Sequence, residues 1–171
     1  MRMTALALLT LIVLIQCLPM SRAISSPPAT QPATPEFDVI AKELGIDGTL
    51  ADDVYTVTLT RSDLDVLHED GPVPAGVLRT EFQFYRCDCG KMNVIGQFTV
   101  ADYEANDVID ALRAGMIKVA SVSPMLMNEH PRLLIVRFHG GGGSQHLAKT
   151  LSSALEWTGE ARMAPATRPV R

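Results

Sequence analysis

Cysteine is scarce in this chain: of 171 residues only Cys17, Cys87 and Cys89 carry a thiol. A zinc centre normally takes four ligands, so cysteine alone cannot build one here. The pattern Gly-x-Ser-x-Gly is missing, which excludes the strained elbow that presents a serine nucleophile in lipases and esterases. No dense run of Lys or Arg occurs and the formal net charge is −4, a balance that argues against nucleic acid as the main partner. The longest apolar run also falls short of the roughly 20 residues that a permanent membrane helix needs.

That run extends from Ala5 to Leu18, broken only by Thr10 and Gln16, behind a minimal positive start at Arg2. Pro19 ends it, and Ser21-Arg22-Ala23 sets small residues three and one before a cut. Residues 1–23 therefore read as a secretory signal peptide cleaved after Ala23, which sends the protein to a periplasmic or extracellular compartment. A rival reading starts at Cys17. Leu14-Ile15-Gln16-Cys17 has the leucine and cysteine of a lipoprotein signal, with bulky Gln16 where Gly or Ala is expected. Lipidation of Cys17 would convert a soluble protein into a membrane-anchored one. Removal of residues 1–23 takes away Arg2 and Arg22 but no acid, so the mature chain is more acidic still.

Residues 24–36, ISSPPATQPATPE, are proline-rich and nearly devoid of large apolar side chains. Such a segment cannot recover its ordering entropy by burial and reads as a flexible or polyproline-like linker. Residues 158–171 have the same character and read as a solvated, disordered tail. Between them, residues 37–157 are long enough for one domain with a core that needs no disulfide staples.

Within that domain, Phe37, Ile40, Ala41 and Leu44 share a helical face, with Gly45 as its stop. Residues 53–60 alternate like a half-buried strand. Segments 77–86 and 92–100 predict two strands joined around Asp88-Cys89-Gly90-Lys91. Ala105, Val108, Ile109, Leu112 and Met116 recur at helical spacing and predict a helix over residues 102–114, with Gly115 suited to a left-handed closure. The acids Asp102, Glu104 and Asp107 sit where the helix dipole favours them. Residues 118–122 and 132–138 are short apolar strands, and a last helix starts at Ser144 and buries Leu147, Leu151, Ala154 and Leu155. The expected class is α+β, an antiparallel sheet packed by helices on one face, with a ferredoxin-like strand–helix–strand–strand–helix unit in its second half.

Several stretches carry a resemblance: Phe37-Asp38, Gly48-Thr49-Leu50, Arg61-Ser62-Asp63-Leu64, the strand near Ile117, the Pro131 turn and, densest of all, Glu104-Ala105-Asn106-Asp107-Val108-Ile109. On these the chain resembles the LppY/LpqO family of secreted or lipid-anchored bacterial proteins without an assigned function. The resemblance implies an envelope protein. It also implies a histidine cluster, because the family typically reads His-Asn-His where this chain has Ser123, Pro124 and Met125. A further family histidine falls on Arg137. Any chemistry that depends on those imidazoles does not transfer.

What remains is a set of weak candidates. Met125, Met127 and His130 offer thioether and imidazole ligands suited to Cu(I), against a turn whose methionines fill gaps in the core. Cys87 and Cys89 could hold zinc or another soft metal, form a redox pair or bond between chains. A ring across one intervening residue is sterically demanding, and two small residues decorating a hairpin turn is the plainer reading. Gly140, Gly141, Gly142 and Gly143, following His139, could expose amides to a phosphate or carboxylate or simply permit a sharp turn. Arg137 is a further ligand-binding candidate. A surface combining the 123–130 turn with the glycine loop is the expected binding region. The function expected is a non-catalytic binding or structural protein of the cell envelope, its partner an envelope protein or a small ligand. The competing expectation is a metal carrier or metal-dependent enzyme in which Met125, Met127, His130, His139 or His146 converge with a carboxylate such as Glu129. Intact mass of the exported protein separates the two leader readings: the expected mature chain starts at Ile24, and a diacylglyceryl-modified Cys17 would refute it.

Overall fold

The computed structural model describes residues 35–69 and 71–159. The leader, Cys17, Ala23, most of the proline-rich segment and the tail from residue 160 lie outside the described residues. Helix α1 (Pro35–Leu44) opens the domain. Pro35 and Glu36, linker by composition, form its first turn, where a proline's missing N–H costs nothing. Gly45 ends the helix at φ 68°, and Ile46 N–H closes back on the Ala41 carbonyl at 3.2 Å.

Strands β1 (Thr49–Ala51) and β2 (Val54–Thr60) follow, then β3 (Leu67–His68), β4 (Gly71–Pro72) and a 3-10 turn at Ala75–Val77. The remaining elements are β5 (Arg79–Arg86), β6 (Met92–Ala101), α2 (Ala105–Ala114), β7 (Lys118–Pro124), β8 (Leu133–Gly142) and α3 (Ser144–Leu155). Six strands form one antiparallel sheet in the order β1-β2-β5-β6-β8-β7, and β3 and β4 pair with each other outside it. The β1–β2 turn has both central residues, Asp52 and Asp53, at positive φ, the twist that a two-residue hairpin requires.

The class is thus α+β, with an antiparallel sheet packed by three helices. The order β6–α2–β7–β8–α3 supplies the expected strand–helix–strand–strand–helix sequence. The place a closing strand would take beside β6 is occupied by β5, and no strand follows α3 among the described residues.

Strand alternation divides the sheet into two faces. Val57, Phe82, Phe84, Val94, Phe98, Val136 and Phe138 point to one face and pack against Phe37 and Ile40 of α1, Val108 and Leu112 of α2, and Leu147 and Leu151 of α3. Among the described residues the other face is covered at one end only. There the β2–β5 connection brings Val66 and Leu78 onto Ala101 and Leu133, with Leu64, Val73 and Met125 at the margin. Two bonds of 2.8 Å between the backbones of Leu67 and His130 lock this flap to the β7–β8 turn. Strand β7 forms one edge of the sheet and carries an irregularity between Val119 and Ser121.

Two glycines are there for space. Gly96 lies between Phe82 and Phe138 in the ladder. A Cβ on it would come within 2.5 Å of the Glu81 carbonyl and 2.7 Å of the Phe138 ring. The rings of Phe82, Phe98 and Phe138 use that gap, with centroids 5.0 to 5.8 Å apart. Gly115 differs from its expected role: its φ is −87°, and the left-handed residue after α2 is Met116 at φ 60°. Gly115 is small because Thr150 of α3 sits against it, 2.1 Å from where a Cβ would stand. Overpacking of this kind typically costs about 1–3 kcal/mol. Gly96→Ala is expected to lower unfolding free energy by that amount in denaturant titration. Gly76→Ala, which meets nothing within 4 Å, is expected to leave stability unchanged or raise it by up to about 1 kcal/mol. Equal midpoints for the two variants would contradict the packing account.

Candidate functional site

The most elaborate polar cluster is buried. Arg61 follows β2 and is only 6 % exposed. All five of its N–H donors are used. Nε and Nη2 donate to the two carboxylate oxygens of Asp63 at 2.8 and 2.7 Å. Nη1 and Nη2 donate to Glu104 at 2.8 and 3.0 Å, and Nη1 also reaches the Thr99 carbonyl at 3.0 Å. Glu104 in turn accepts the backbone N–H of Ala101 at 2.8 Å and of Gly159 at 3.0 Å. Burial works against the guanidinium charge, but the two carboxylates outweigh it and raise the Arg61 pKa above its ordinary value. The Arg61 hydrogen bonds hold Asp63 below the usual carboxylate range, against the opposing effect of its partial burial.

Every donor of Arg61 is spent on the protein itself, so this cluster is a structural clasp and offers a ligand no free group. Sequence reasoning assigned Glu104 to the helix dipole. The structure gives its side chain to Arg61 instead, and Asn106 is exposed at the surface.

The expected metal ligands do not come together. Met125 is half-buried against the smaller core, Met127 is 73 % exposed, and His130 is exposed in the turn that precedes β8. Glu129 is buried and accepts Leu133 N–H at 3.0 Å. Its desolvation favours the neutral acid, yet backbone N–H groups and the nearby Arg132 charge prevail and lower its pKa. His139 lies in β8 beside Ile95 and Lys118, whereas His146 on α3 bonds the Gly115 carbonyl at 3.0 Å. Among the described residues no three of His, Cys, Asp and Glu are grouped to hold a metal ion. Cys87 and Cys89 are bonded to each other as a disulfide.

The glycine loop is largely a strand. Gly140, Gly141 and Gly142 pair with Val94, Asn93 and Met92, and only Gly143 remains outside, at φ −74° before α3. Their smallness accommodates neighbours: a Cβ on Gly141 would lie 2.6 Å from the Asn93 side-chain oxygen, and one on Gly140 3.1 Å from Ile117. The tract and the 123–130 turn sit at opposite ends of β8, roughly 30 Å apart at about 3.3 Å per residue. They cannot form one surface as expected. A recess of about 420 Å³ lies beside the tract, between Gly90, Lys91 and the start of α3.

Arg137 is better placed. In register across five strands run Thr58, Glu81, Gln97, Arg137 and Ser121. All five belong to the sheet face that carries no helix among the described residues. The next row holds Thr56, Gln83, Ile95, His139 and Lys118, and Ile95 is 48 % exposed. Glu81, Gln83, Ile95, Gln97 and Arg137 line a shallow depression of about 210 Å³. Glu81 and Arg137 flank Gln97 from the two neighbouring strands, which sets the backbones of the two charged residues roughly 10 Å apart. Gln83 donates to Glu81 at 2.8 Å.

The family described as Domain of Unknown Function (DUF1259) matches residues 38–157, more than half of the chain. No curated protein and no solved structure matches it.

Breaking the clasp should be costly. Arg61→Ala strands the buried Glu104 charge, and removal of one partner of a buried pair typically costs about 3–5 kcal/mol. Asp63 and Glu129 have folded pKa values below their unfolded ones, so their stabilisation is complete above the ordinary carboxylate range, near about 4. It is lost as pH falls through the lower folded values. Denaturant unfolding between neutral and acid pH is expected to show stability falling below that range. The fall should be shallower in Asp63→Asn and Glu129→Gln, and an unchanged profile in both variants would contradict the assignment.

Proposed function

The chain belongs to the DUF1259 family, and on that premise we propose that it is a non-catalytic binding domain of the bacterial cell envelope. Its contact surface is the uncovered sheet face. The observation that carries this reading is the cross-strand row Thr58, Glu81, Gln97, Arg137 and Ser121 on a face that none of the described helices covers. The leader and the resemblance to the LppY/LpqO family support export. No helix of the described residues is long and apolar enough to cross a membrane.

The chemistry of the face suits a small ligand with an anionic and a cationic end, of which a short peptide is the simplest kind. The Arg137 fork takes a carboxylate with two parallel bonds, Glu81 takes an ammonium, and the Gln83 and Gln97 amides match peptide groups between them. Exposed Ile95 adds an apolar contact. A metal-dependent reading finds less support, because the histidines and methionines it would recruit are spread over the β7–β8 turn, the far part of β8 and α3.

Amide-resolved NMR titration with short peptides tests this. Shifts are expected at β5, β6 and β8, with weaker binding when the peptide carboxyl is amidated. Arg137→Ala should weaken binding by roughly 10-fold or more, since a charged hydrogen-bond partner contributes about 1.5–3 kcal/mol. Shifts confined to the helical face, or none at all, would sink the proposal.

A further inference from the structure

The Cys87–Cys89 disulfide does little for the fold. It spans one intervening residue, and cross-links stabilise mainly by restricting the unfolded chain, by an amount that grows with the loop they close. The turn it decorates is closed without it. Gly90 N–H donates to the Cys87 carbonyl at 2.8 Å, and Cys87 N–H to the Lys91 carbonyl at 3.0 Å. Gly90 reverses the chain at φ 79°. Directly beneath, the β5–β6 ladder is complete through the pair of Arg86 with Met92. None of residues 87–91 belongs to either core cluster, so opening the bond removes no packing.

Access is equally favourable. Cys89 is exposed and Cys87 half-buried at the tip of the hairpin, and the recess lined by Gly90 and Lys91 leaves room beside it for a partner. An accessible bond that the fold does not need is suited to exchange, because attack by a thiolate depends on reaching one sulfur.

We propose that Cys87-Asp88-Cys89 is a thiol–disulfide exchange site whose substrates are external thiols. A thiolate attacks Sγ of Cys89, a new S–S bond forms, and Cys87 leaves as a thiolate that takes up a proton. A second external thiolate attacks the substrate sulfur of this mixed disulfide and releases Cys89 as a thiol. Two substrate thiols thereby lose two electrons and two protons and become a disulfide, while the Cys87–Cys89 bond is reduced to two thiols. The same chemistry serves a low-molecular-weight thiol or a protein cysteine pair.

The test uses the full chain and two thiol probes, glutathione and reduced, unfolded ribonuclease A, with thiol trapping and intact mass as readout. Millimolar glutathione is expected to reduce the bond in the folded protein. In glutathione disulfide, the Cys89 thiolate of Cys87→Ser should attack that disulfide, release one glutathione thiol and accumulate as a mixed disulfide that no neighbouring cysteine can resolve. The double variant Cys87→Ser/Cys89→Ser should shift Tm by less than about 2 °C, a small change for a domain of this size. Faster oxidation of ribonuclease than glutathione disulfide alone achieves would assign a protein substrate; exchange with glutathione only would assign a small thiol. A bond that resists both probes under native conditions would overturn the proposal. So would a Tm loss above about 5 °C in the double variant, which marks a structural cross-link.

Discussion

The clasp around Arg61 is the constraint on which the remaining architecture depends. A guanidinium buried to this degree is tolerable only when its charge and all its donors are matched, and apart from the neighbouring Asp63 the partners that match it come from distant parts of the chain. Asp63 fixes the departure of the β2–β5 connection, the Thr99 carbonyl fixes the end of β6, and Glu104 fixes the approach to α2. Through Gly159, Glu104 also gathers in the chain after α3. One side chain thus sets where the flap leaves the sheet and where the helical layer begins and ends.

That arrangement decides which surface is free. With the flap held over Ala101 and Leu133, the smaller core covers one end of the second sheet face. The other end, around Gln97, stays open and polar. All three helices are committed to the first face by the phenylalanine cluster and by the closeness of α2 to α3 at Gly115. The exposed face is therefore left over by packing, and its charged residues stand outside the clasp that holds Arg61.

The helices and longer strands were legible because their burial follows period. Phe37, Ile40 and Leu44, or Val108 and Leu112, advertise a face in one dimension. Strand β1 has three residues and β3 and β4 two each, too few for any period to register. The glycine tract was misread for a related reason: glycine has no side chain to alternate, so its strand character depends on the partner Asn93 and is invisible locally. Arg61 and Glu104 stood within the stretches that carried the resemblance, and their opposite charges were the available signal. Nothing in spacing says that residues 43 apart will meet. Arg137 was singled out, but its row with Glu81 and Gln97 depends on the register of three strands.

The chain enters the described domain at α1 and leaves it after α3, and these two helices pack together on the same side of the sheet. The two ends of the described domain are held by different physics: Pro35 begins a helix seated by apolar packing, whereas Gly159 is bound to the Glu104 carboxylate. Loss of that carboxylate's charge in acid would therefore loosen the carboxyl end of the domain first and leave the amino end seated, so the two ends differ in their sensitivity to pH.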